Sequence, residues 1–409
     1  MLAARGVIQT IVDQHAEEAA FLWLLRDQAV DAPHYDRQDL ARLEERVEAH
    51  LDGLRVAGEA GRLTAQAMLE ANPEPGELFA VAVLALKAAD RSHLAPLLAL
   101  AEAAPEARRG LLGAIGWVPT TTLRPLVQAW LDSADGFERF LGLVACSHHR
   151  VDPGHRLAHW LADPDPLVAA RAARLAGELG RIDLRDALAA ERNTTPEVAA
   201  WRAWSLGLLG APDALPELER LAEAGFAPAL QVALRAMPAA RAKSWLRQLN
   251  GDPAQSRRVV EGLGIIGDPQ AVPWLIGRMG DPTLARLAGE SVSLITGVDL
   301  AYDDLDGDAP EGYQPGPTPD PADDDTAMDQ DEDLPWPDPE LLEAWWEKNA
   351  GCFTAGTRHL LGRPIDETAC DAAWMGGFQR QRRAAAYELA LGRVGAGLWS
   401  WRQRMAAPG

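Results

Sequence analysis

The chain has 409 residues, 47% of them apolar and 24% charged, which is enough to bury a substantial core and excludes a disordered polymer. Its formal charge of −21 argues against a nucleic-acid backbone or an anionic membrane as the main partner. Fifteen of its acidic residues lie between Asp303 and Glu340, where there is no Lys or Arg, so the acidity belongs mainly to one segment.

The N-terminal stretch MLAARGVIQTIVDQHAEEAAFLWLLRD carries Glu17 and Glu18 where a signal peptide would continue its apolar run. No stretch reaches the roughly 20 apolar residues that span a bilayer. Three cysteines, Cys146, Cys352 and Cys370, lack CxxC spacing, which fits a reducing compartment and excludes a cysteine zinc knuckle. A Cys352–Cys370 bridge stays open beside two reduced thiols. These features predict a soluble, cytoplasmic protein. Residues 1–75 show helical stripes through Ala19, Leu22, Trp23 and Val30 and through Leu40, Leu43, Val47, Leu51 and Leu54, an N-terminal helical cap.

Residues 76–300 read as a repeat. Asp252-Pro253, Asp268-Pro269 and Asp281-Pro282 each open a stretch that closes at a glycine, Gly267, Gly280 and Gly297. Asp at the N-cap, Pro at the first helical position and Gly past the last turn predict one helix per stretch. The segments GAIG, LVACS, GELG, GLLG, GIIG and LITG recur at intervals of about 30 residues, a solenoid period. DPLVAARAARLAGELG places Leu167, Val168, Ala172, Leu175, Ala176 and Leu179 on one stripe, with Arg171, Arg174 and Glu178 elsewhere on the circumference. About seven or eight hairpins are expected, each buried only by its neighbours. The Asp-Pro, Val, Ala, Ala, Leu, Gly pattern resembles HEAT-like repeats, which implies an all-α, right-handed α-α superhelix.

Residues 301–340, dense in Asp, Pro and Gly, form a connector with no core of their own. Residues 341–409 return to helix, with Asp338-Pro339-Glu340 as a start signal and QRQRRAAAYELALGR as a second strong helix. HAEEAAFLWLLRD, HLDGLRVAG, RLAGESVSLITGVDL, DEDLPWPDPE and QRQRRAAAYELAL together resemble a family of bacterial HEAT-repeat proteins, some encoded near type VI secretion components. The resemblance implies a scaffold and supplies no catalytic residues to carry over.

Three groups are candidates for chemistry. Asp329, Asp331, Asp333 and Glu340 have the ligand spacing of an EF-hand loop, yet Leu334 replaces its glycine and prolines occupy 335, 337 and 339. An acidic connector anchored by Leu334 and Trp336 is the preferred reading. His155 and His159 are four apart, as zinc ligands on a helix are, but no HExxH or His-Glu pair accompanies them, and partial exposure beside Trp160 is the preferred reading. Arg380, Arg382 and Arg383 could grip a phosphate or clamp the tail onto the acidic connector, and the clamp is preferred. Trp345 and Trp346, with Trp336, supply aromatic docking surface.

The reading is therefore a non-enzymatic protein-binding scaffold or adaptor without cofactors. Its partner would be a protein, by resemblance a type VI secretion component or effector, with no role for nucleic acid or membrane. Two alternatives are an enzyme, lyase or hydrolase, with a site in the concave groove, and a calcium-responsive switch in the connector.

Overall fold

The computed structural model describes residues 7–89, 91–190, 195–313, 315–317 and 328–405. The chain divides into two compact units, Met1–Ser205 with Trp399–Gly409, and Leu206–Leu398. Both are all-α and solenoid-like. Among the described residues there are twenty-one α-helices, and strand is confined to His359–Leu360 paired antiparallel with Arg363–Pro364. No helix among them is long and apolar enough to cross a membrane.

The N-terminal unit begins with three helices, Gln9–Ala29, Arg37–Val56 and Glu59–Ala71. The second starts at a reciprocal cap. Asp36 accepts from the amides of Gln38 and Asp39, and the Asp39 carboxylate accepts from the Asp36 amide, so two donors left open by the first turn are satisfied. Trp23, 1% exposed, stacks on Phe79 at 4.7 Å, and Phe79 meets Trp117 edge-on at 5.3 Å. These rings bind the opening helices to the first repeats.

Leading helices follow at Pro75–Ala88, Pro105–Trp117, Gly136–His148 and Pro166–Glu178, and the helices between them, Arg91–Ala103, Thr120–Leu131 and Leu157–Trp160, each pack on the leading helix that comes next. Each leading helix also packs on the next leading helix, and these form a row. Gly110 lies against the Pro75 carbonyl, where a Cβ would collide, so the small residue sets the close approach of two leading helices.

The last described residues also belong to this unit. The Arg402 carbonyl accepts from Arg26 at 2.8 Å, the Met405 amide donates to Glu44 at 2.7 Å, and Arg404 pairs with Glu48 at 3.0 Å and lies over the Trp117 ring at 4.3 Å. Glu44 is itself held by the buried Arg26. The reading of 341–409 as one module thus differs from the structure, which places the segment from Trp399 onward with the N-terminal helices.

In the C-terminal unit the leading helices Ala227–Ala236, Ser256–Ile266 and Ala285–Thr296 pack successively on one another. The Asp-Pro pairs do start structure here, but not directly helix. Asp252 and Asp268 cap 3-10 turns at Pro253–Gln255 and Pro269–Ala271, from which the α-helices Ser256–Ile266 and Val272–Ile276 grow. Asp281 caps a turn that precedes Ala285–Thr296. The aspartate reaches the amide two residues on, which closes a tight turn before the α-helix begins. Asp165-Pro166 and Asp338-Pro339, by contrast, open the helices Pro166–Glu178 and Pro339–Asn349 at once.

Candidate functional site

The described parts of the acidic connector around residues 305–307 and 329–338 pack on the C-terminal unit. Leu334 is 7% exposed, and Leu305 and Leu342 share one core with Val292, Ile295 and Leu300, against which Trp336 packs. Gly307 donates to the Trp336 carbonyl and Asp338 to that of Leu305. Asp331, 5% exposed, takes both guanidinium arms of Arg257, at 2.7 and 2.6 Å. Asp329 pairs with the buried Arg286, whose guanidinium covers the Trp336 ring at 4.5 Å. Asp333 and Glu340 are exposed, and Glu340 stands in the first turn of the helix Pro339–Asn349, which Asp338 caps. The four acids of the calcium-loop spacing therefore do not converge. Trp345 and Trp346 are half-buried against the same cluster, with ring centres 6.4 Å apart.

His155 and His159 are both exposed, on the 3-10 turn Gly154–Arg156 and the short helix after it. Among the described residues no group of three or more His, Cys, Asp or Glu is placed to hold a metal. Cys146, Cys352 and Cys370 are free, and burial pushes the Cys146 thiol up to about 11 and that of Cys370 up to about 12.

The arginine run meets the leading helix Ala285–Thr296 through Glu290, and the connector acids Asp329 and Asp331 are taken by Arg286 and Arg257; a clamp onto connector residues 314 and 318–327 lies outside the described residues. Arg380 reaches Glu290 at 2.9 Å, and burial holds that carboxyl above its usual range despite the charges of Arg380 and Arg383. Arg382, 1% exposed, donates to the Trp374 carbonyl and to Gln379 and stacks on Trp374 at 4.5 Å.

These contacts belong to a larger arrangement in which the segment Gly356–Gly392 covers the leading helices. The His359 amide donates to the Gly267 carbonyl at 2.7 Å, Leu361 to Leu294 at 2.8 Å and Gly362 to Ile295 at 3.0 Å. Gly267 and Gly297 end their helices at φ 72° and 77°, and a Cβ on either would collide with the backbone at His359 or Leu361. The repeat glycines thus both cap helices and admit a second main chain. Behind the hairpin, Glu388 accepts from Arg235 at 2.8 Å and from Arg358, and Arg235 also bonds Gln231, which reaches Glu261 at 2.9 Å.

In the N-terminal unit the corresponding feature is an ionic cluster on the leading helices. Glu178, 2% exposed, accepts from Arg171 at 2.6 Å, Arg174 at 2.9 Å and Ser147, with Arg150 at 3.3 Å. Burial alone would raise this carboxyl, but the three arginines hold it well below the usual range. Burial and the nearby Arg171 push His148 down to about 3, so it stands neutral. Arg171, Arg174 and Glu178 share one face at spacings of three, four and seven. That spacing was the available signal, although the side chains had been read as lying off the buried stripe.

No protein-family model matches the chain, and comparisons with curated proteins and with solved structures give no significant match.

Proposed function

We propose that the chain is a non-enzymatic protein-binding scaffold or adaptor whose leading-helix rows hold segments of other polypeptides. The observation that carries this reading is the seat of Gly356–Gly392 on the C-terminal unit. There the row accepts a hairpin through main-chain bonds at Gly267, Leu294 and Ile295, and a helix through Arg235–Glu388 and Glu290–Arg380. The array thereby performs in cis the recognition that an adaptor performs in trans, with main-chain bonds giving affinity and charged pairs fixing register. A row of packed helices is preformed, so little ordering entropy opposes such binding. The resemblance to HEAT-repeat proteins encoded near type VI secretion components makes a secretion component or effector the first partner to test.

The test is native affinity purification of the tagged full chain from its source cells, with cross-links mapped by mass spectrometry. A stoichiometric protein cross-linked to the leading helices is expected. A bait that returns no such protein, or one cross-linked only elsewhere, defeats the reading.

A further inference from the structure

The last described stretch, residues 399–405, is held differently from the covering segment 356–392. That segment buries side chains of its own, Arg382, Ala385 and Glu388 among them. Residues 399–405 bury none and form neither helix nor strand. Polar groups of the N-terminal helices hold them instead. Asp31 accepts from the Trp401 indole at 3.2 Å and pairs with Arg402 at 3.0 Å, while Glu48 pairs with Arg404 and Glu44 accepts from the Met405 amide. The Arg404 guanidinium lies over Trp117, whose own indole N–H donates to Glu48 at 2.8 Å. This seat is preformed, because Glu44 is held by Arg26, and Glu48 by Lys87 as well as Trp117. The side chains of Arg402 and Asp31 are still 43% and 39% exposed, and ion pairs so open to water add little stability. The contacts are therefore specific and weak together.

We infer that this seat is a recognition site for a basic Trp-Arg-x-Arg segment of a partner polypeptide, and that residues 399–405 occupy it as an internal competitor. The chemistry is read from the present occupant. Asp31 and Glu48 each take one arginine of the pair Arg402 and Arg404, the Trp117 face takes the second guanidinium, and Arg26 and Glu44 bond only main chain, which any sequence supplies. The net charge of −21 favours the approach of a basic segment. A tethered segment competes at an effective concentration on the order of mM. Surface contacts of this kind yield to an incoming segment, whereas the buried contacts of 356–392 do not. That the incoming segment belongs to another polypeptide rests on the adaptor reading; the seat's preference for it does not.

The experiment is fluorescence anisotropy of the full chain with a labelled, C-terminally amidated peptide of residues 399–405, against the same peptide with Gln for both Arg. The wild-type chain is expected to bind the Arg peptide weakly, because its own tail holds the seat. Arg402→Gln with Arg404→Gln, at unchanged melting temperature, loosens that tail and is expected to bind the Arg peptide about tenfold or more tightly. Structural damage does not produce tightening confined to the Arg peptide. Adding Asp31→Asn to the loosened chain is expected to weaken binding about tenfold, the loss of one charge-assisted pair. Should the double variant fail to fold, Arg404→Gln alone replaces it and has to show the same tightening. The inference is overturned by equal affinity of the wild-type and loosened chains, by equal binding of the two peptides, or by unchanged affinity on adding Asp31→Asn. Peptide binding that follows this pattern while partner capture fails would leave the seat standing and count against the adaptor reading alone.

Discussion

In the C-terminal unit the leading helices meet a segment of the same chain, and their charged groups, Arg235 and Glu290, are matched by Glu388 and Arg380. In the N-terminal unit the leading helix Pro166–Glu178 supplies Arg171, Arg174 and the carboxylate of Glu178 from its own turns. One kind of helix therefore takes its counter-charge from a distant segment in one unit and largely from itself in the other. What distinguishes them is not the repeat pattern but where the counter-charge comes from in the sequence. A carboxylate four or seven residues away is fixed by the helix itself, whereas one roughly 150 residues away requires the tail to dock.

The strongest way to break this contrast is to remove the tail's carboxylate. Glu388→Ala leaves Arg235 buried without its charge partner, and is expected to destabilise the C-terminal unit by about 3–5 kcal/mol. The two buried thiols separate the units, since Cys370 reports on one and Cys146 on the other. In Glu388→Ala, Cys370 should label quickly under mild denaturant while Cys146 stays protected, and equal exposure of both would refute a local effect.

Next in size is the glycine that admits the hairpin. Gly267→Ala places a Cβ against the His359 carbonyl at a left-handed position, whereas Gly154→Ala in the other unit has the same positive φ with open space around it. The second should cost about 1 kcal/mol, and the first should cost more because the hairpin has to lift. Comparable denaturation midpoint shifts for the two would show that Gly267 is only a helix cap.

The N-terminal cluster has its own signature in acid. His148 is held neutral with its pKa pushed down to about 3 from an ordinary 6.5. An unfolded chain takes up that proton below about pH 6.5 while the folded one does not. This contribution is thus fully present above pH 6.5 and is lost as pH falls toward 3, by at most about 1.4 kcal/mol per pH unit. His148→Asn should flatten the pH dependence of melting in that window, and an unchanged slope would assign it elsewhere.

The smallest effects sharpen the description of the connector. Asp331→Asn should lower the unfolding free energy by about 1 kcal/mol, since it weakens a two-armed pair that Arg257 shares with solvent. Asp333→Asn, at an exposed position, should fall within about 0.5 kcal/mol of wild type. Calcium should not raise the melting temperature of the wild-type chain, and a saturable rise lost in Asp331→Asn would contradict the placement of these acids.

Helices, their Asp caps and their glycine ends were legible because each depends on residues within one turn. The 3-10 starts were not, because Asp-Pro opens either a tight turn or a helix and later packing decides between them. The arginines at 380, 382 and 383 stand out in an acidic chain, but the pairing of Arg380 with Glu290 was not legible, because Glu290 lies about ninety residues upstream. Glu178 lies off the apolar stripe, and its burial was not legible because it also depends on Arg150 and Ser147, which the fold brings from the preceding repeat.

The tail from Trp399 to Met405 is anchored by Arg26, Asp31, Glu44 and Glu48 on the opening helices. A pull applied between Val7 and Met405 would be borne first by that anchorage. The intervening residues 206–398 would carry no tension until it tore. Stretched from its two ends, the chain should therefore first show rupture of a few charged contacts, and only then the extension that comes from unravelling helices.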